Sequence, residues 1–301
     1  MVKTKSDPLL SIIITTYNRP HLLGRAVRSA LGQTVTDLEV VVVDDGSTEP
    51  VTLAEQPRLR MVRLPVNHGL SAARNVAATS ARGRWISYLD DDDQLFPHFA
   101  EVSLNALAQT TLPRPVAALS GLEAVNRDGA PIRTHLPPTL PRGSYFGLEK
   151  IDPRLSFFSK QTLVVEREVL LGIHGFDEAF SALPYTEMFL RLNPVCSIVG
   201  VPVVTYRQFI HQGPRLSSDP SRRQSDFGRL ISRHKALFDA RPRVFADFAL
   251  RHAHSLYNLG QYRAAVASVC STARSHPFST FAGITSVLWR KLRWHRGFSL
   301  F

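Results

Sequence analysis

The sequence predicts an α/β domain, a mostly parallel central sheet flanked by helices, followed by a small helical region rich in basic residues. Three observations carry this. Apolar, β-branched runs alternate with stretches of helical periodicity. Three of those runs end in polar clusters, "TTYN", "VDDGS" and "LDDDD", and open α/β sheets bind ligands beyond the carboxyl ends of their strands. Charge is also partitioned: residues 221–301 hold 14 Lys+Arg against 3 Asp+Glu, whereas residues 1–220 hold 22 of each sign.

In chain order, "LLSIIITTYN" reads as a buried strand ending in a turn. "HLLGRAVRSALGQT" places Leu22, Leu23, Ala26, Val27, Ala30 and Leu31 at helical spacing, with Gly32 as the stop. "LEVVVVDDGS" is a second buried strand and "RLRMVRLPVN" a third. "GLSAARNVAATSARG" predicts a small-residue helix running to Gly83, and "RWISYLDDDD" a fourth strand. Residues 113–153, rich in Pro and Gly, read as loops with a few short elements. "KQTLVVEREVLLGIHGFDEAF" reads as strand, short helix and turn, and "SIVGVPVVTYRQF" as a further strand. From about Ser221 the pattern is helical. There "LYNLGQYRAAVASVCSTARSHP" has the spacing of one tetratricopeptide-type helix pair, expected to pack on the main domain. The expected domains are residues 1–215 and 216–301.

The 301 residues, 44% hydrophobic and 20% charged, suffice for one large core or a domain with an appendage. No stretch approaches the apolar length that spans a bilayer. The first apolar run is short, strand-like and without a small-residue cleavage site, unlike a signal peptide. Cys196 and Cys270 have no metal-ligand spacing and make no disulfide framework, which suggests buried or half-buried thiols in a reducing cytoplasm.

Four consecutive aspartates, Asp90 to Asp93, repel one another and call for compensation. A divalent cation supplies it directly, since Mg²⁺ and Mn²⁺ favour carboxylate oxygens. A charged loop paired with nearby arginines is the plainer reading. Asp44 and Asp45 could accept from a ribose hydroxyl or a base N–H, or could simply hold an Asx turn. "NHGLSAARN" offers Gly69 for close approach and Arg74 for phosphate or carboxylate, against an exposed arginine at a helix start. His211, in a polar turn, offers a metal or phosphate contact.

In order, "SIIITTYNRP", "LEVVVVDDGST", "NHGLSAARN", "GRWISYLDDDDQLFP", "GFDEAF…EMFLRL" and "YRQFIHQGPRLS" resemble the inverting family 2 glycosyltransferases of the GT-A fold, over residues 8 to 215. The resemblance implies a nucleotide-sugar donor, taken here as a UDP-sugar, and a glycan or lipid-linked acceptor. It implies that Thr15, Tyr17 and Asn18 line the nucleotide pocket and that Asp44, Asp45 and Arg74 read base and ribose. The family's Asp-x-Asp motif falls on Asp90, Asp91 and Asp92. Asp92 would ligate Mn²⁺ or Mg²⁺ with help from Asp90, His211 would be a further ligand, and Asp91 would face the ribose or donor sugar.

One position departs from the family. Relatives carry a Glu-Asp pair after the Gly-Phe-Asp-Glu turn, its aspartate acting as base, and the ungapped register puts Pro184 and Tyr185 there. A phenol with an ordinary pKa of about 10 is a poor base at neutral pH. The alternatives are a displaced base, Glu187 or Asp177, a perturbed Tyr185, or a donor-binding pseudoenzyme that partners an active transferase. Nucleic acid is not an expected partner, because the basic residues form no recognisable nucleic-acid motif. The stretch "FAGITSVLWRKLRWHRGFSLF" mixes Trp289, Trp294, Phe298 and Phe301 with four cations. It suits peripheral attachment at the inner face of a membrane.

Overall fold

The computed structural model describes residues 7–210, 219–258, 260–275 and 277. His211 and the stretch 281–301 lie outside the described residues. The chain divides into two compact units, residues 1–213 and 214–301.

In the first unit the order is β1 (Leu10–Thr16), α1 (Pro20–Leu31), β2 (Leu38–Asp44), β3 (Leu59–Arg63), α2 (Leu70–Ser80), β4 (Trp85–Asp90), β5 (Gln94–Leu95), α3 (Phe99–Gln109), β6 (Val116–Val125) and β7 (Pro131–His135). A 3₁₀ turn (Lys160–Thr162), β8 (Val164–Glu166), α4 (Arg167–Gly172), α5 (Pro184–Leu192) and β9 (Ser197–Phe209) complete it. The strands form one sheet ordered β3-β2-β1-β4-β8-β6-β9-β5, with β7 pairing β6. The half that carries the polar clusters, β3-β2-β1-β4, is parallel throughout. Beyond β4 the sheet is mixed: β8 runs antiparallel to both β4 and β6, while β9 runs parallel to β6.

Every residue of β1 and β2 is buried, as expected for parallel strands covered on both faces. Successive side chains alternate between two cores. Ile13, Val41, Val43, Ile86 and Tyr88 pack with Ala73 and Ala77 of α2 and Met188 and Phe189 of α5. Ile12, Ile14, Val40, Val42 and Leu89 pack with Leu23, Ala26 and Val27 of α1 and Phe99 of α3. Each such aliphatic side chain contributes about 1.5–3 kcal/mol by leaving water.

Helix α1 begins with Pro20 in its first turn and ends where Gly32 N–H donates to the Arg28 carbonyl. Helix α2 stops at Ser80, short of the expected Gly83. Gly83 has a packing role instead: a Cβ there would sit 2.5 Å from Ser11 N at the start of β1. Helix α3 was not anticipated; it buries Phe99, Ala100, Ser103 and Leu107.

The second unit holds α6 (Pro220–Arg233), α7 (Lys235–Asp239), α8 (Pro242–Asn258) and α9 (Tyr262–Ser275). Asp219 caps α6, accepting from Ser221 N–H at 2.9 Å and Arg222 N–H at 3.1 Å. Helices α8 and α9 are in contact on either side of Gly260 at φ +75, and α8 buries Ala246, Ala249, Ala253 and Leu256. Cys196 is buried as expected, but Cys270 is exposed, because it falls on the outer side of α9. No helix among the described residues is long and apolar enough to cross a membrane.

Candidate active site

Parallel register brings three strand ends together. Thr16 pairs with Asp44 across β1 and β2, and Thr15 pairs with Asp90 across β1 and β4. Each of the four aspartates, Asp90 to Asp93, has side-chain partners, and Asp91 and Asp92 share Arg19. Asp90 Oδ1 accepts from Arg74 Nη2 at 2.6 Å. Asp91 Oδ2 accepts from the Thr16 hydroxyl at 2.7 Å, and its Oδ1 lies 3.4 Å from Arg19 Nη1. Asp92 Oδ2 accepts from the same Arg19 nitrogen at 3.0 Å, and its carbonyl accepts from Arg25. Asp93 is buried; its Oδ2 accepts from the Tyr206 hydroxyl at 2.8 Å and its Oδ1 from Phe209 N–H at 3.0 Å.

Asp93 is therefore an anchor that ties the acidic turn to β9, while Asp90 and Asp92 keep 30% and 15% of their side chains in solvent. Burial, then the charges of Asp92 and Asp90, pushes the Asp91 carboxyl up to about 6 against the pull of Arg19 and Thr16. Burial and the charges of Asp90 and Asp92 push Asp93 well above the usual carboxylate range. Arginine pairing compensates part of the acidic run, and the desolvated remainder is the electrostatic environment that a cation would relieve.

Among the other expected donor residues, Tyr17 is 44% exposed and Thr15 is buried. Asn18, at φ +54, links two loops: its N–H donates to Ser47 Oγ at 2.9 Å, and its Oδ1 accepts from Thr48 N–H at 2.9 Å. Asp44 and Asp45 are both buried and face backbone. Asp44 accepts from Ser47 N–H at 2.9 Å, Val51 N–H at 3.3 Å and Arg63 at 3.2 Å. Burial alone would raise its pKa, but those donors, with the Ser47 hydroxyl, hold it below the usual range. Asp45 accepts from His68 and Gly69 N–H, each at 2.9 Å. Both thus hold the backbone of the loops that follow β2 and β3. Gly46, which follows Asp45 at φ +72, lets those loops meet, since a Cβ there would lie 2.4 Å from the Val66 carbonyl carbon.

Arg74 is buried, not exposed. Its guanidinium lies 4.7 Å from the Tyr185 ring, 5.2 Å from Phe176 and 5.7 Å from Tyr88. Its Nη1 and the Tyr88 hydroxyl are buried without a hydrogen-bond partner. Next to it, Asn75 exchanges two hydrogen bonds with Phe176, each 2.8 Å, and so fastens the Gly-Phe-Asp-Glu turn to α2.

The expected bases are placed differently. Glu187 is fully buried, and both its oxygens pair with Arg191, at 2.8 Å and 2.5 Å. Arg191 Nη2 also donates to the Gly175 carbonyl at 2.8 Å. Glu187, expected as a displaced base, thus sits in an ion pair with Arg191, which also reaches the turn before α5. Asp177 is half-buried, with Oδ1 accepting from Ala179 N–H at 3.0 Å. Tyr185 is the residue beside Arg74, and burial, with the Asp90 and Asp93 charges, raises its phenol further above its ordinary value. Its phenolate form is therefore scarcer near neutral pH than that of a tyrosine in water.

Sequence reasoning missed Arg19, Arg25 and Tyr206. Arg19 lies within the quoted "TTYNRP", but its two carboxylate partners are 72 and 73 residues away. Among the described residues no group of three or more His, Cys, Asp or Glu side chains converges as a metal-holding set. Asp90 and Asp92 are the two carboxylates of this run that keep part of their side chains in solvent.

A family model described as glycosyl transferase family 2 matches residues 11–168. The chain is 42% identical over 213 residues to a chondroitin synthase of Escherichia coli, covering 69% of this chain and 30% of that protein. It is 31% identical over 211 residues to a hyaluronan synthase of Pasteurella multocida, covering 68% and 21%. The chain thus spans about a fifth to a third of the length of these relatives. The fold is similar to that of S. aureus TarS residues 1–349 in complex with UDP-GlcNAc, with a TM-score of 0.62 at 18% identity over 91% of this chain and 83% of that one. The same TarS segment in complex with UDP gives a TM-score of 0.52 at 19% identity, covering 91% of each chain. With the expected GT-A architecture, and acidic strand ends gathered at one edge of its sheet, the chain belongs to glycosyl transferase family 2.

Proposed function

We propose that this chain transfers a sugar from a UDP-sugar donor to a hydroxyl of a glycan or lipid-linked acceptor in polysaccharide synthesis, with inversion at the anomeric carbon. The observation that carries the reading is the convergence of the β1, β2 and β4 ends on one acidic turn, with Arg19 and Arg74 between them. The UDP and UDP-GlcNAc complexes of a protein with this fold support a uridine donor. The synthases among the relatives support a polysaccharide acceptor. Asp92 and Asp90 would hold Mn²⁺ or Mg²⁺, which would neutralise charge on the departing diphosphate. Arg19, half exposed, would exchange its carboxylate partners for that ion and the diphosphate. Asp91, fixed by Thr16, would face the ribose or donor sugar.

Inversion needs a base at the acceptor hydroxyl. Asp177 is the carboxylate that best suits the role, on a turn fastened by Asn75 beside Arg74. A second reading, a donor-binding partner without transfer, is favoured by one observation: the register position of the family's base holds a phenol kept protonated by burial. A screen of UDP-sugars against oligosaccharide acceptors, scoring hydrolysis and transfer separately with and without Mn²⁺, separates the two. Transfer that needs Mn²⁺ supports the first, and UDP binding with no turnover of any donor supports the second. Failure to bind UDP at all excludes both.

A further inference from the structure

We infer that Phe158 and His135 form a stacking platform for one pyranose ring of the acceptor, next to the acidic turn. This rests on the transferase reading, whose acceptor the platform would hold.

Phe158 is 71% exposed, the most exposed large apolar side chain among the described residues. A lone exposed aromatic is ordinary, but three features set this one apart. It is held in place. Ser156 N–H donates to the Leu136 carbonyl at 2.7 Å, Phe158 N–H to Ser156 Oγ at 3.2 Å, and Lys160 Nζ to Thr186 Oγ1 at 2.8 Å. The preceding Phe157 turns inward onto Phe146, with ring centroids 4.7 Å apart, so the segment buries one ring and presents the next. Second, Phe158 is not alone. The His135 ring lies 5.3 Å away, tilted by 42°, and its Nδ1 is oriented by Ser156 Oγ at 3.1 Å.

Third, the position follows from strand register. His135 on β7 is opposite Leu122 on β6, and Leu122 is opposite Tyr206 on β9, whose hydroxyl binds Asp93. Two strand spacings, roughly 10 Å, separate His135 from the residue that anchors the acidic turn. From the other direction, Lys160 is tied to Thr186, the neighbour of Tyr185. The segment that carries the two rings is thus linked to the acidic turn through β6 and β9 and to the start of α5 through Lys160.

A pyranose ring presents a face of C–H groups with hydroxyls around its rim. Phenyl and imidazole rings remove that face from water while the rim stays wet, the arrangement by which small-ligand sites combine apolar walls with a few polar atoms. Burial and the Arg133 charge push the His135 pKa down, so near neutral pH the ring offers Nε2 to a sugar hydroxyl without carrying charge. A protein partner fits less well, since a stable interface buries about 800 Å² per side and this surface is two rings wide.

The test uses the full chain as wild type, Phe158→Ala, Phe158→Trp and His135→Ala, with circular dichroism to monitor folding. Hexasaccharides of chondroitin, hyaluronan and chitin are the probes, with binding followed by saturation-transfer NMR and calorimetry. UDP binding with Mn²⁺ is measured on the same samples. Wild type should bind at least one hexasaccharide. Phe158→Ala should weaken that binding about 3–10-fold, His135→Ala should weaken it too, Phe158→Trp should retain it, and UDP affinity should not follow. Equal hexasaccharide binding by wild type and Phe158→Ala, no binding of any of the three by wild type, or self-association that Phe158→Ala abolishes would each overturn the platform. UDP binding with no Phe158 effect leaves the transferase reading standing without it. Phe158-dependent glycan binding without UDP binding would overturn the transferase reading and, with it, the acceptor role of the two rings, leaving a glycan-binding surface.

Discussion

Arg74 Nη2 donates to Asp90 Oδ1 at 2.6 Å, so a buried guanidinium on the helix that follows β3 holds the last residue of β4. The rings of Tyr185, Phe176 and Tyr88 surround it, which couples the acidic turn to the start of α5. Arginine suits this position because its planar cation both stacks on rings and pairs with carboxylate.

Replacing Arg74 with methionine keeps much of the volume but removes the partner of Asp90. Breaking a buried pair from one side is expected to cost about 3–5 kcal/mol in chemical denaturation. Arg74→Lys should fall between the two, since it keeps the charge and loses the planar stack. Equal stability of all three proteins would show that the pair is incidental.

Asp92→Ala tests the cation. Wild-type UDP affinity, measured by calorimetry, should depend on Mn²⁺ or Mg²⁺, and the variant should lose most of that dependence. Its Tm should change little, because the Asp92 carboxylate pairs with Arg19, which is half exposed. Metal-independent UDP binding of equal strength in both proteins is the contrary result.

Glu187→Gln separates a structural carboxylate from a catalytic one. From its pairing with Arg191, the variant should lose about 1–3 kcal/mol of stability while the folded fraction keeps its turnover. A base would show the opposite pattern, a rate loss of ~10²–10⁴-fold with stability kept. Tyr185→Asp, which restores a carboxylate at the register position, should raise transfer if the reaction is limited by the missing base.

His252 predicts a pH dependence in the second unit. It stacks on Phe227 with ring centroids 3.7 Å apart, and Nε2 pairs with Gln224 at 3.1 Å. Burial, then the Arg223 charge, pushes its pKa down to about 4. The unfolded chain takes up the proton near 6.5 and the folded one does not. This stability is therefore complete above about pH 6.5 and declines as pH falls toward about 4, by at most about 1.4 kcal/mol per pH unit. Urea denaturation at pH 7 and pH 5, compared with His252→Phe, should show the decline in wild type and a flatter response in the variant.

Strand positions were legible in the sequence because strands covered on both faces must be apolar almost without interruption. "LSIIITT", "LEVVVVD" and "WISYLD" have that character and stop where the polar clusters begin. Helix α1 was legible from its apolar stripe and the glycine after it. Helix α3 was not, since its buried positions include Ala100 and Ser103, which carry little hydrophobic signal. Residues 113–153 hid the ten-residue strand β6 among Pro and Gly.

The sequence by itself determined the fold class, the acidic turn at a strand end, and the need for something to offset four adjacent carboxylates. Only the tertiary structure decided which groups do so: Arg19 is 72 residues from Asp91, Arg74 is 16 from Asp90, and Tyr206 is 113 from Asp93. It likewise decided that Glu187 pairs with Arg191 and that Tyr185 faces Arg74. The physical reason is one of range. Periodicity and strand-end polarity are local properties of the chain, whereas the protonation and role of a carboxylate depend on burial and on neighbours that only folding brings within a few ångströms.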